Sequence, residues 1–430
     1  MLGRPQFLDP HGDAMLPSAR QVGRRAVTAV PLSNAYAGRA NSFGFLRLCF
    51  AVAVVLAHTA VIGYARPLTD VVDVAGLGVA GFFGISGFLI TRSARRASLP
   101  RYLWHRALRI WPGLWVCLLF IGFVVAPIVW YAERGDLDGL WRHPAGVVNF
   151  LQANWWGGYR QQGIMDVFRD TPYGDLVRRS VLDGSLWTLS YEIFCYLIVA
   201  SLAVVAVLRR ARWLVLAAAV LVFGLLLWNQ YEALRFGGST YFTSGSIGTL
   251  PLLGALSKIW FLRFGFMFLV GAVADLYSDK LPISDVLGVL AIVVTGWQTL
   301  EGHLFGPALL TYEYAILYLA VRLPRLLHVV GQKNDYSYGI YIYSFVVQQM
   351  LAWLGAAAWG FVGYFAVVMV FTVVLAFLSW HLVEKQALRF KDWTPRFRRG
   401  APPAEASGER QPEPERVPVP ATADASAPRG

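Results

Sequence analysis

The sequence predicts an all-α polytopic membrane protein, a bundle of about ten transmembrane helices with both termini in the cytoplasm. Three observations lead there. Hydrophobic residues make up 56% of the 430 positions and charged residues only 15%, with a mean hydropathy of +0.49, outside the usual balance of a soluble domain. Apolar runs long enough to cross a hydrocarbon core of roughly 30 Å as helices recur along the chain. The basic residues gather in alternate connections between those runs, as the positive-inside rule requires.

The runs fall near 43–63, 74–92, 111–131, 185–207, 211–228, 259–277, 283–300, 304–321, 336–357 and 360–382. Between them lie Arg92 to Arg109, "RSARRASLPRYLWHRALR", then "RRAR" at Arg209 to Arg212, "RLPRLLHVVGQK" at Arg322 to Lys333, and a basic stretch from Lys385 to Arg399. Placing these in the cytoplasm puts both termini there, in keeping with an even helix count. The net charge of +12 is therefore read as topology and not as a nucleic-acid footprint. Segment 1–40 has no ordinary signal-peptide core and is expected to be a flexible cytoplasmic lead-in. The membrane domain is expected over 41–390. The 391–430 segment should be basic and then disordered, because its Pro, Ala, Glu and Ser cannot bury enough surface to offset ordering entropy. Long loops near 132–184 and 229–258 are expected to fold over the outer mouth. Cys49, Cys117 and Cys195 fall within spans and read as small buried apolar residues.

The chemistry lies in the polar residues inside these runs. Arg47 and His58 enclose the apolar stretch "RLCFAVAVVLAH". Eleven helical positions rise by about 16 Å and rotate three turns plus roughly 20°, so the two share a face at different depths and are expected to face one cavity. Ionisable residues are costly in a bilayer and commonly mark function. Glu192, in "SLWTLSYEIFCY", lies about two turns into the fourth span, at a depth suited to orienting His58. Arg106 and Arg109, three apart, share a helix face at the entry to the third span. With Arg92 and the other arginines of that connection, they suit the phosphates of a donor such as a coenzyme A thioester. Ser86, in "GLGVAGFFGISGFLIT", reads as a packing residue. No HExxH, Cys/His cluster, GxSxG elbow or P-loop occurs, so no metal is expected.

Taken together, "FFGISGFLITRSARR" at 82–96, "RALRIWPGLW" at 106–115, "GSLWTLSYEIFCY" at 184–196, "DYSYGIYIYSF" at 335–345, "SWHLVEKQALR" at 379–389 and the Arg47–His58 spacing resemble acyltransferase family 3. These are the integral-membrane acyltransferases of cell-envelope and secreted carbohydrates. The resemblance covers about Asn41 to Arg389. It implies a ten-helix enzyme of the inner membrane that takes an acyl group, commonly acetyl, from cytoplasmic acyl-CoA and places it on a hydroxyl of a glycan or glycolipid acceptor, with no permanently bound cofactor. Arg47 and His58 match the family's arginine–histidine motif, Arg106 and Arg109 its paired arginines, and Glu192 its buried acid. His58 would then act as general base with Glu192 orienting it. Arg47 would stabilise the thioester oxyanion or hold the pantetheine arm. Two departures stand out: Ser344 occupies a position that is His in many members, and Ile193 follows the single acid. The competing readings are a proton-coupled transporter with Arg47, His58 and Glu192 as its relay, and a non-catalytic partner of an envelope-synthesis complex.

Overall fold

The computed structural model describes residues 29–36, 38, 40–236, 245–301 and 307–393. The chain is a helical membrane bundle, and helices occur at all ten expected places: α1 Phe43–Tyr64, α2 Val74–Arg96, α3 Leu99–Arg134, α4 Trp187–Val204, α5 Arg212–Phe236, α6 Lys258–Leu276, α7 Asp285–Leu300, α8 Pro307–Arg322, α9 Ser337–Trp353 and α10 Gly360–Ser379. Among the described residues seven helices are long and apolar enough to cross a membrane. The helices α7, α8 and α9, of 16, 16 and 17 residues, are shorter.

Helix α2 lies at the centre, packed on α1 and α6. Its small residues allow this. A Cβ on Gly87 would meet the Phe268 carbonyl oxygen at 2.0 Å, and one on Gly271 of α6 would meet the Gly84 oxygen at 2.2 Å. On the other side, a Cβ on Gly81 would enter the Phe50 ring of α1. Close backbone approach through small residues is how membrane helices gain packing contacts without a hydrophobic driving force.

Helix α3 begins at Leu99, about three turns before the apolar run that marked it. The basic stretch Arg101–Arg109 is helical and extends the helix beyond its apolar run. Farther on, Ile121–Val125 adopts a π-helical turn just before Pro127, which lacks the N–H that a regular α-helix would need. The expected outer loop is a packed layer with short helices at Val147–Asn154 and Pro172–Val177. Leu140, Phe150, Ile164, Val167 and Leu182 in this layer are fully buried, and Trp155 stacks on Trp115 of α3 with ring centroids 4.9 Å apart.

Two expectations need correction. Residues 30–36 are ordered: strand Val30–Pro31 pairs antiparallel with Pro282–Ile283, and Leu32 is buried after it. The remainder of the predicted flexible segment, 1–28 with 37 and 39, and the predicted tail from 394 onward lie outside the described residues. Cys49 is exposed, whereas Cys117 and Cys195 are buried; all three are free thiols.

Candidate active site

Five helices enclose a cavity in the membrane domain. Arg47 reaches it from α1, Phe82 and Ser86 from α2, Arg106 and Arg109 from α3, Glu192 and Tyr196 from α4, and Tyr338 and Tyr341 from α9. Four residues singled out in the sequence therefore meet here: Arg47, Arg106, Arg109 and Glu192. Ser86, expected only to pack, also lines it.

A residue not singled out organises the basic wall. Asp335, buried just before α9, accepts from Arg47 Nη2 at 3.0 Å and from Arg109 Nη2 at 2.7 Å through the same Oδ2. Its Oδ1 accepts from the Ser337 backbone N–H at 3.2 Å and the Ser337 hydroxyl at 2.6 Å. Burial alone would raise this carboxyl's pKa, but the two guanidinium groups and the Ser337 bonds hold it well below the usual carboxylate range. Asp335 thus fixes two arginines from different helices at the start of a third. The signal was present in the sequence: an acid two residues before a Ser at a helix start, in an otherwise basic connection.

Asp335 engages a terminal nitrogen of Arg47 and of Arg109. The Nε atoms of Arg47 and Arg106 are buried and have no hydrogen-bond partner among the described residues. A buried N–H of this kind is costly unless a ligand or an ordered water satisfies it. Arg106 also lies over the Tyr196 ring, 5.9 Å from its centroid. Glu192 accepts a hydrogen bond from the Tyr196 hydroxyl and faces the charges of Arg109, Arg106 and Arg47.

His58 is elsewhere. It lines a second pocket towards the opposite end of α1, formed with Val61, the connection Pro67–Asp73, which includes Asp70 and Asp73, and the start of α2. Its ring meets Phe345 edge-on, with centroids 5.3 Å apart, and its Nδ1 is buried without a partner among the described residues. The expectation of one cavity shared by Arg47 and His58 is corrected: the helical face is common, but the rise of about 16 Å puts them at different depths. Glu192 likewise lies with the arginines and not beside His58. On α2, Val79 lines the first pocket and Ala75 the second, one helical turn apart, and within the first Phe82 meets Tyr341 edge-on at 5.8 Å.

Arg92 does not line the arginine cavity. It pairs with the buried Asp275 at 3.5 Å, and its guanidinium lies 4.4 Å over the Tyr36 ring. Ser344 is buried and donates to the Tyr341 carbonyl at 3.3 Å. One turn on, Gln348 donates to the Val55 carbonyl and the Thr59 hydroxyl, tying α9 to α1 beside His58.

The bundle and this paired arrangement of pockets define a multi-pass membrane protein with one basic and one histidine-bearing site. Residues 41–381 match the family model Acyl_transf_3, described as an acyltransferase domain; the chain belongs to this family and is an integral-membrane O-acyltransferase. It is 27% identical over 365 residues to an O-acetyl transferase of Shigella phage Sf6, covering 81% of this chain and 96% of the relative. It is 29% identical over 374 residues to nodulation protein 10 of Rhizobium leguminosarum bv. viciae, covering 84% of this chain and 96% of the relative. No solved structure matches the chain.

Proposed function

We propose that this O-acyltransferase moves an acetyl group from cytoplasmic acetyl-CoA to a hydroxyl of an envelope or exported glycan, working in the inner membrane. The observation that carries this reading is the arginine cavity, where the buried Nε groups of Arg47 and Arg106 stand without protein partners. Such donors suit the carbonyls and amides of a pantetheine arm. The phage relative's description as an O-acetyl transferase supports acetyl as the group moved.

In this scheme Arg47 and Arg106 hold the arm in register, with Asp335 and Glu192 balancing the charge of the arginine wall. The depth of Arg47 favours this role over stabilising the oxyanion. His58 takes the proton from the acceptor hydroxyl in the outer pocket as that oxygen attacks the thioester carbonyl carbon. The C–S bond breaks, the acyl–oxygen bond remains, and the proton passes to the leaving thiolate. For this step the thioester passes from the arginine cavity to the pocket of His58. Asp70 and Asp73 border the outer pocket and are suited to accept hydrogen bonds from sugar hydroxyls.

The test is acceptor-dependent release of free thiol from acetyl-CoA by the purified protein in lipid discs, offered total envelope glycan. Thiol release that rises with glycan, and ester acetate recovered on the glycan, supports the reading. Thiol release that ignores the glycan contradicts it. No observation favours the transporter relay.

A further inference from the structure

Between α4, α5 and α6 lies a groove with a cavity of about 310 Å³ that no step of the reaction uses. Val199 of α4, Val215 of α5 and Phe268 of α6 line it and are buried, whereas Ile198 and Leu214 line its mouth and are exposed on the surface of the bundle. The groove is walled off from the arginine cavity. Phe83, which lines that cavity, stacks on Phe264 with ring centroids 4.6 Å apart, and Tyr191, which lines the groove, meets Phe264 edge-on at 5.8 Å. An occupant therefore enters past Ile198 and Leu214, from the surrounding bilayer.

Three observations define that occupant. First, the lining is apolar apart from Thr91, Tyr191 and Cys195, and the Tyr191 hydroxyl already accepts from the Ser257 backbone N–H at 2.7 Å. A buried water needs two to four polar partners, so water does not fill the space, and leaving it empty forfeits dispersion contacts along its whole wall. Second, Gly265 lines the groove, and a Cβ there would meet nothing within 4 Å. Gly87 and Gly271 serve close helix packing; Gly265 instead leaves room where the helices do not touch. Third, the Thr91 hydroxyl is buried, lines the groove and has no hydrogen-bond partner among the described residues. It stands at one end of the groove, a turn before Arg95, whose carbonyl oxygen accepts from Arg209 at 2.7 Å in the basic turn that precedes α5.

We infer that the groove binds one ester-linked acyl chain of a membrane phospholipid, with the ester carbonyl accepting from the Thr91 hydroxyl. From Tyr191 to Leu202, which both line the groove, α4 rises about 16 Å. That is close to half of the roughly 30 Å hydrocarbon core, and so to the chain length of a single leaflet. A phospholipid chain is apolar along its length and carries one acceptor at its head end, matching a groove that is apolar along its length with one free donor at its basic end. Arg209 and Arg210 are exposed beside that end and complement the headgroup phosphate. Neither the acyl donor nor the acceptor enters this assignment.

The test is photolabelling of the full chain in discs of ether-linked phosphatidylcholine, with a trace of phosphatidylcholine that carries a diazirine midway along one ester-linked chain. The host lipid lacks the carbonyl, so the probe competes through its ester. Mass spectrometry of peptides locates the label. Lipid around the bundle reaches Ile198 and Leu214, but only a chain inside the groove reaches Val199, Val215 and Phe268. Label on those three residues is expected in wild type and is expected to be lost in Gly265→Leu and in Ala218→Phe, which fill the groove from α6 and from α5. Label on the exposed Phe371 of α10 is expected to persist, reporting a folded bundle. Thr91→Val keeps the shape and removes the donor, and is expected to reduce the label on the three residues. Wild type labelled only at exposed residues overturns the inference, and so does label on the three residues that survives both filling variants. Equal labelling of wild type and Thr91→Val overturns the ester contact. If the three residues are labelled by a diazirine-bearing long-chain acyl-CoA and not by the phospholipid, the groove holds the chain of a donor and the inference is overturned.

Discussion

Arg47 of α1 and Asp335, at the entry to α9, meet at 3.0 Å, and the same carboxylate oxygen takes Arg109 of α3 at 2.7 Å. Three segments far apart in sequence are thereby fixed around one acid, and the arginine wall of the cavity owes its shape to that acid. Asp335→Asn keeps the size of the side chain and removes the charge, leaving two partly buried guanidinium groups without this counter-ion. Breaking a buried pair in this way costs about 3–5 kcal/mol. Chemical unfolding in detergent is expected to show a loss of that size, with acetyl transfer falling alongside it.

Glu192 makes a separable contribution. Glu192→Gln retains a hydrogen-bond acceptor for Tyr196 and removes the negative charge facing Arg47, Arg106 and Arg109. Because Glu192 balances the arginine wall that holds the donor arm, the KM for acetyl-CoA is expected to rise about ten-fold while the turnover number changes by less than about two-fold. Steady-state kinetics with calorimetry on the same preparation separates the two.

Helix packing gives a third expectation. Gly87 of α2 faces the Phe268 backbone so closely that an added methyl would stand 2.0 Å from its carbonyl oxygen. A backbone atom cannot swing aside as a side chain can, so Gly87→Ala must push α2 and α6 apart. Overpacking of this kind costs about 1–3 kcal/mol, read as a lower thermal midpoint. Gly224, with open space around it, is the control: Gly224→Ala is expected to leave the midpoint unchanged or raise it slightly.

A pH-dependent term comes from Asp183, buried in the outer layer before α4. Burial pushes its carboxyl up to about 7, against the bonds from Ser185 and Cys117. Its unfolded value is about 3.9. The folded protein therefore binds more protons than the unfolded chain between those values, and this group's contribution to stability falls as pH rises from about 4 to about 7. Asp183→Asn removes that slope. Thermal midpoints measured from pH 4 to 8 for both proteins check it, and identical slopes would count against it.

Much of the fold was legible in the sequence because a bilayer demands long apolar runs, and a helix lies at each of the ten. Hydropathy failed where a helix leaves the hydrocarbon: the first turns of α3, "LPRYLWHRALR", are too basic to register, although Pro100 near the start suits a helix beginning there. The meeting of Arg47, Arg106, Arg109 and Glu192 was partly legible from the cost of charge in a membrane. His58 was misplaced relative to them because helical periodicity reports which face a residue occupies, whereas depth decides which pocket it enters. Asp335 was passed over for the opposite reason: it lies in a connection, where an acid ordinarily needs no explanation, and only the fold shows two arginines converging on it.

The central claim is that His58 serves transfer of an acetyl group to a glycan. Its most direct test is alkali-labile acetate on envelope and secreted glycans of a deletion strain, complemented with wild type or with His58→Ala at matched membrane abundance. The expected result is that acetate is lost on deletion, restored by wild type and not restored by His58→Ala. Acetate restored equally by both proteins would contradict the role of His58, and acetate unaffected by deletion would contradict the proposed reaction.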